Sequence, residues 1–232
     1  MNKSSQILYF RNNQFISNCS GHLKKSEELT IEPQSGENLK LIIIQCAECS
    51  ITRGCPLGLT LPSSNSEKCL NCSSETSQKQ KKQPINLKIE VNLKNPNSSV
   101  SLFGIYILKN HEALNNRIQI NHLAPDTHSQ TLFKGVLDDE ANVNFYGLIN
   151  IQKEAEKAEA ELYNKNLILD NRAHALTKPE LNILTNEVKC NHGATVKYLD
   201  KNELFYLNSR GYDQVTAKNT LIQSFVSEVL SK

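Results

Sequence analysis

The dipeptides Asn-Gly and Asp-Gly, which favour tight two-residue hairpins, occur nowhere in this chain. Long apolar runs are missing as well. The longest, Leu41 to Ile44, has the length of a strand and falls far short of the roughly 20 residues that cross a bilayer. Charge of one sign does not accumulate either: 26 Lys and Arg stand against 24 Asp and Glu. The sequence therefore lacks the electrostatic footprint that phosphate-backbone binding requires, and neither nucleic acid nor membrane is an expected partner. The one basic cluster, Lys79 to Lys82, reads as a solvated loop. At the N-terminus Arg11, Asn12 and Asn13 interrupt the apolar residues, which makes a poor secretory signal.

Cysteine, by contrast, is concentrated. Of seven in the chain, five lie between Cys46 and Cys72. Such clustering resembles a metal site more than a secreted disulfide framework, and it points to a reducing, cytoplasmic setting, with a plastid-type organelle as the alternative. Cys46, Cys49, Cys69 and Cys72 form two CxxC pairs with the knuckle spacing of a tetrathiolate zinc site. Only Gly54 and Gly58 lie between the pairs to shape such knuckles, no aromatic residue does, and a further thiol, Cys55, intervenes. Free thiols in a flexible insertion, bound zinc and a bound iron–sulfur cluster all stay open.

Hydropathy patterning divides the chain further. Residues 1–44 carry short apolar segments, and residues 45–84, rich in Ser, Cys, Gln and Lys, show no helical or strand period and read as an insertion or loop. From 85 to 199 a period of two takes over. Ile85, Leu87, Ile89, Val91 and Leu93 fall on one face, and similar segments follow at Ser99 to Leu108, Arg117 to Leu123, Gln130 to Leu137, Asn142 to Ile151, Lys165 to Asp170, Glu180 to Val188 and Gly193 to Leu199. Lys153 to Glu161 has helix-forming composition, yet its alternation of charge and alanine also suits the edge of a β-coil. Many short strands, without hairpin dipeptides or strong crossover helices, suggest a parallel β-helix, with a sandwich as the alternative. Over 200–232 the period becomes helical: Asp200 with Glu203 has capping-box spacing, Gly211 can end that helix, and Asp213 can cap a second one carrying an apolar stripe from Ala217 to Leu230.

Four motifs stand in order: FKGVLDD from Phe133, KPELNI from Lys178, EVKCNHGATV from Glu187 and LFYLNSRG from Leu204. Together they closely resemble the C-terminal core of SufD-type members of the SufB/SufD family of iron–sulfur cluster assembly proteins. The resemblance runs from Ile118 to the chain's end and, more faintly, over Ile7 to Ile44. It implies an all-β core built as a right-handed parallel β-helix, followed by a small C-terminal α-helical domain. It also implies a scaffold subunit without catalytic turnover, which pairs with a SufB-like subunit, docks a SufC-like ATPase and holds a cluster only transiently. The ATPase must be another subunit, since GxxxxGK[ST] is absent from this chain. Two departures stand out: a shortened N-terminal region and the cysteine cluster.

In a strand, Val188, Cys190, His192, Ala194 and Val196 share the more apolar face. Read from the residues alone, Cys190 and His192 are a core thiol and a hydrogen-bonded imidazole. A nucleophile–base pair is the competing reading, but no third, orienting group accompanies the two. The resemblance implies instead that His192, more than Cys190, faces the SufB-like partner at the assembly interface. It likewise places SufC docking on the helical tail, where Phe205, Tyr206, Arg210 and Phe225 are the candidate contacts.

Overall fold

The computed structural model describes residues 6–11, 14–16, 26–46 and 84–231. Strands β1 (Gln6–Arg11), β2 (Gln14–Ile16), β3 (Ser26–Ile31) and β4 (Asn38–Cys46) precede β5 (Ile85–Leu93), β6 (Ser99–Leu108), β7 (Ala113–His122) and β8 (His128–Leu137). Then come β9 (Asn142–Ile151), β10 (Ala158–Ile168), β11 (His174–Ile183) and β12 (Val188–Tyr198), with helices α1 (Lys201–Ser209) and α2 (Gln214–Leu230). The even strands β4 to β12 pair in parallel in one sheet, extended by an antiparallel β1 and β2, while the odd strands β3 to β11 form a second, all-parallel sheet. Each odd–even pair is one coil of a parallel β-solenoid, and register partners such as Ile85, Leu114 and Val143 recur one coil apart. The β-helix expected from the pattern and from the resemblance is thus the fold, with a two-helix tail.

The corners explain how the chain manages without hairpin dipeptides. Gly36, Asn97, Asp126 and Lys157 take positive φ where odd strands turn into even ones, and Asn110 and Asp139 do so at the opposite corners. Asn and Asp tolerate this left-handed backbone better than other side-chain-bearing residues. The corners also stack on one another: Asp126 N donates to Glu156 O at 3.0 Å, and His128 N to Ser98 O at 3.1 Å. Of Lys153 to Glu161, the segment of ambiguous composition, Lys153 to Lys157 forms such a corner and Ala158 to Glu161 begins β10. The apolar run Glu180 to Val188 is not one strand, because Leu184 to Glu187 turns between β11 and β12.

Alternation sorts the side chains. Leu87, Ile89, Leu102, Leu114, Ile118, Ile120, Phe145 and Leu162 fill the space between the two sheets, each contributing roughly 1.5–3 kcal/mol by leaving water. On the outer face of the odd sheet, register partners Asn92, Asn121, Asn150 and Asn182 form an amide ladder, with Asn121 donating to Asn92 at 2.7 Å and Asn182 to Asn150 at 2.8 Å. The outer face of the even sheet is apolar and is covered by α2: Phe103, Ile105, Leu132, Val136 and Leu167 pack with Ile222, Val226 and Val229. The stripe read from Ala217 to Leu230 therefore buries against this chain's own sheet. Asp200 caps α1 by accepting from Asn202 N, and Asp213 caps α2 by accepting from Val215 N and Thr216 N. Lys134, almost fully buried, fastens the helix: its ammonium donates to Phe225 O at 2.6 Å, pairs with Glu228 at 2.6 Å and lies over the Phe225 ring.

One buried histidine ties a corner together. His122 is fully enclosed, with Nδ1 2.8 Å from Thr127 Oγ1 and Nε2 2.9 Å from Ser129 Oγ. Burial, helped by the nearby His128, pulls its pKa down to about 4. The folded chain thus resists a proton that the unfolded chain accepts near pH 6.5. Stability from this group is complete above that pH, falls as pH drops toward 4 and is level below it, with about 2 kcal/mol lost by pH 5. Urea unfolding of the parent and of His122→Gln at pH 7.5 and 5 checks this: the parent should lose more stability than the variant. Equal losses would mean that other groups set the acid response.

Candidate functional site at the open end of the β-helix

The last coil differs from those beneath it. Strands β11 and β12 end their sheets, and among the described residues no further coil stacks on them. Positions that point into the interior elsewhere here reach the surface. Val196 and Tyr198, register partners of Asn166 and Ile168 on β10, are 47% and 63% exposed, and Ile183 on β11 is exposed too. Leu176, on the outer side of the same coil, is also exposed, as is Leu184 at the corner. The outcome is an apolar patch framed by two parallel edges with unpaired backbone groups, the kind of surface that pairs with another chain unless it is covered.

Cys190 and His192 lie on this coil, on the face predicted from alternation, but in unlike surroundings. Cys190 is half-buried and packs against the interior, beside Ala160. His192, beside Leu162, is exposed. The reading of a hydrogen-bonded core histidine does not describe it, because among the described residues no coil encloses it. Burial pushes the Cys190 thiol pKa up, opposite to the shift that creates a reactive thiolate, so the thiol is poorly suited to act as a nucleophile.

The other candidates disperse. On α1, which buries no residue, Phe205 is 74% exposed and Tyr206 is exposed with the Arg210 guanidinium 5.2 Å from its ring centre. Phe225 instead is half-buried at the seam between α2 and the even sheet. Of the four cysteines read as a zinc set, Cys46 ends β4, whereas Cys49, Cys69 and Cys72 lie outside the described residues. One group that sequence reading missed is Asp138, Asp139 and Asp170, whose carboxylates approach within 4.8 Å of one another at adjacent corners and could chelate a cation. All three are already engaged: Asp138 pairs with Lys218 at 2.9 Å, Asp170 with Arg172 at 2.9 Å, and Asp139 accepts from Asn110 N. Sequence spacing alone could not reveal this group, since coil stacking is what brings Asp170 to the other two. Among the described residues no helix is long and apolar enough to cross a membrane.

The architecture is that of a parallel β-solenoid whose last coil is uncovered among the described residues, followed by a two-helix tail. Residues 75–225 match the family described as SUF system FeS cluster assembly, SufBD core domain. The chain belongs to this SufB/SufD family. It is 34% identical over 137 residues to the iron–sulfur cluster assembly protein SufD of Escherichia coli, a match covering 59% of this chain and 32% of that protein. It is 38% identical over 115 residues to a SufBD family protein of Synechocystis, covering 50% and 25%. A SufBD family protein of Mycobacterium leprae is 30% identical over 156 residues, covering 64% and 40%. The chain thus spans about a quarter to two-fifths of the length of these relatives.

Proposed function

We propose that the chain serves as a SufD-like, non-catalytic subunit of a SUF iron–sulfur cluster assembly complex. It joins a SufB-like subunit through the open end of the solenoid and a SufC-like ATPase through the helical tail. The observation that carries this reading is the last coil, which leaves His192, Val196 and Tyr198 exposed on a strand whose far edge has no partner among the described residues. An imidazole can serve both as an iron ligand and as a proton carrier. The cluster is cargo held briefly where the subunits meet, and ATP hydrolysis belongs to the third subunit. Co-purification with SufB-like and SufC-like subunits tests the reading, and retrieval of neither would sink it.

The two ends of the tail call for separate tests. Phe205→Asp alters an exposed ring on a helix with no buried residue. It should weaken ATPase binding roughly tenfold or more, as loss of an aromatic anchor does, without moving the melting temperature. Phe225→Asp should instead loosen α2 from its sheet, because the ring lies under Lys134 within the seam. If pull-down with the ATPase is unchanged by Phe205→Asp, the α1 surface is not the docking site. A zinc ion on Cys46, Cys49, Cys69 and Cys72 is a separate proposal resting on their spacing, and elemental analysis of protein purified without chelator should find about one zinc per chain if it is right.

A further inference from the structure

On the outer face of the even sheet, Tyr163 and Gly193 are register partners on β10 and β12. A Cβ placed on Gly193 would lie 3.1 and 3.2 Å from Cδ1 and Cε1 of the Tyr163 ring. The ring therefore rests on the glycine backbone at contact distance, in space a side chain would crowd. Tyr163 is itself half-buried against the apolar cluster that seats α2. One residue earlier stands exposed His192, and two before that Cys190 packs inward against the core.

Among the described residues β12 has a hydrogen-bonded neighbour on one side only, its ladder to β10. An edge strand held that way opens locally at lower free energy than a central one. The Cys190 side chain holds β12 from within and the Tyr163 ring covers it from outside, and these two contacts bracket His192. We propose Tyr163 as the positioning residue of the site: its ring, seated on Gly193, fixes the backbone that presents His192. This rests on the assembly reading for what His192 does, but not for how it is held. It also gives the glycine of the CNHGAT motif a physical reason, since a Cβ there would press on the ring and make it give by a few tenths of an ångström.

The test pairs hydrogen exchange on the purified full chain with cluster loading of the assembled complex from ferrous iron and sulfide. Tyr163→Ala should speed amide exchange over residues 189–194 roughly tenfold, the equivalent of a 1.4 kcal/mol loss of local stability. Exchange in β7 and β9 should not change, and loading should fall. Tyr163→Phe, which keeps the ring, should retain both. Gly193→Ala, which pushes on the ring without removing it from the α2 seat, should speed exchange in the parent but add nothing in the Tyr163→Ala background. Unchanged exchange in Tyr163→Ala, or additive effects of the two substitutions, would overturn the inference. So would full loading of Tyr163→Ala where His192→Ala loads poorly. If exchange responds as described and neither Tyr163→Ala nor His192→Ala alters loading, the positioning contact stands and the cluster role of His192 falls.

Discussion

Replacing His192 by alanine should leave folding and subunit association intact while lowering iron–sulfur loading of the complex by about tenfold, the scale at which losing a group that supports a metal is felt. Exposure is what makes this expectation sharp. A buried, hydrogen-bonded histidine would leave a cavity and an unpaired partner on truncation, at a cost of about 1–3 kcal/mol. His192 is exposed, and exposed substitutions usually stay within about 0.5 kcal/mol, or one to two degrees in melting temperature for a chain this long. Cys190→Ser should behave the other way. Its thiol is half-buried against the core, so a hydroxyl there costs some stability, while loading should fall much less than in His192→Ala. Thermal melts run beside loading assays separate the two variants. Normal loading of His192→Ala, or loading lost only in proportion to unfolded protein, would remove the histidine from the assembly site.

Strand content was legible because period two survives wherever inward positions are apolar, as in Ile85 to Leu93 and Asn142 to Ile151. β10 was only half legible. Its inward positions include Ala158, Ala160, Asn164 and Asn166, small or polar residues that hydropathy alone does not count as core. The amides are inside because they satisfy one another together with Tyr106, a long-range arrangement that the linear sequence does not display. The caps at Asp200 and Asp213 could be read directly, since capping is settled within a few residues. What α2 covers could not, because a stripe shows only that something covers it. For the site, alternation put Cys190 and His192 on one face correctly, but the exposure of His192 follows from β12 having no further coil over it among the described residues, while Cys190 still packs against the core. That is a property of the stack and not of the motif.

The largest effect on stability is expected from the smallest change inside the solenoid, Gly135→Ala. Tyr106, Gly135 and Asn166 are register partners on three successive coils, with the tyrosine ring lying across the glycine. An added methyl would stand 2.0 Å from Tyr106 Cε2 and 2.4 Å from Asn166 Oδ1. The ring has little freedom to withdraw. Its hydroxyl donates to Asn166 Oδ1 at 2.5 Å and accepts from Asn164 Nδ2 at 2.9 Å, while Asn166 Nδ2 donates to Asn164 Oδ1 at 2.7 Å, closing a fully buried cycle. Moving the ring to admit the methyl breaks that cycle and leaves buried polar atoms unpaired, at about 1–3 kcal/mol for each group. Overpacking adds to the cost. A loss of about 3 kcal/mol or more follows, lowering the melting temperature by roughly 6 to 12 degrees. Burial drives the Tyr106 pKa upward, so the hydroxyl keeps its proton and the loss should be the same at pH 7 and pH 9. The double-mutant cycle with Tyr106→Ala apportions the cause: with the ring gone only the contact with Asn166 Oδ1 remains, on a side chain released from its tyrosine partner, and Gly135→Ala should then cost much less than in the parent. A full penalty in that background would show that the strain comes from Asn166 or the backbone and not from the ring.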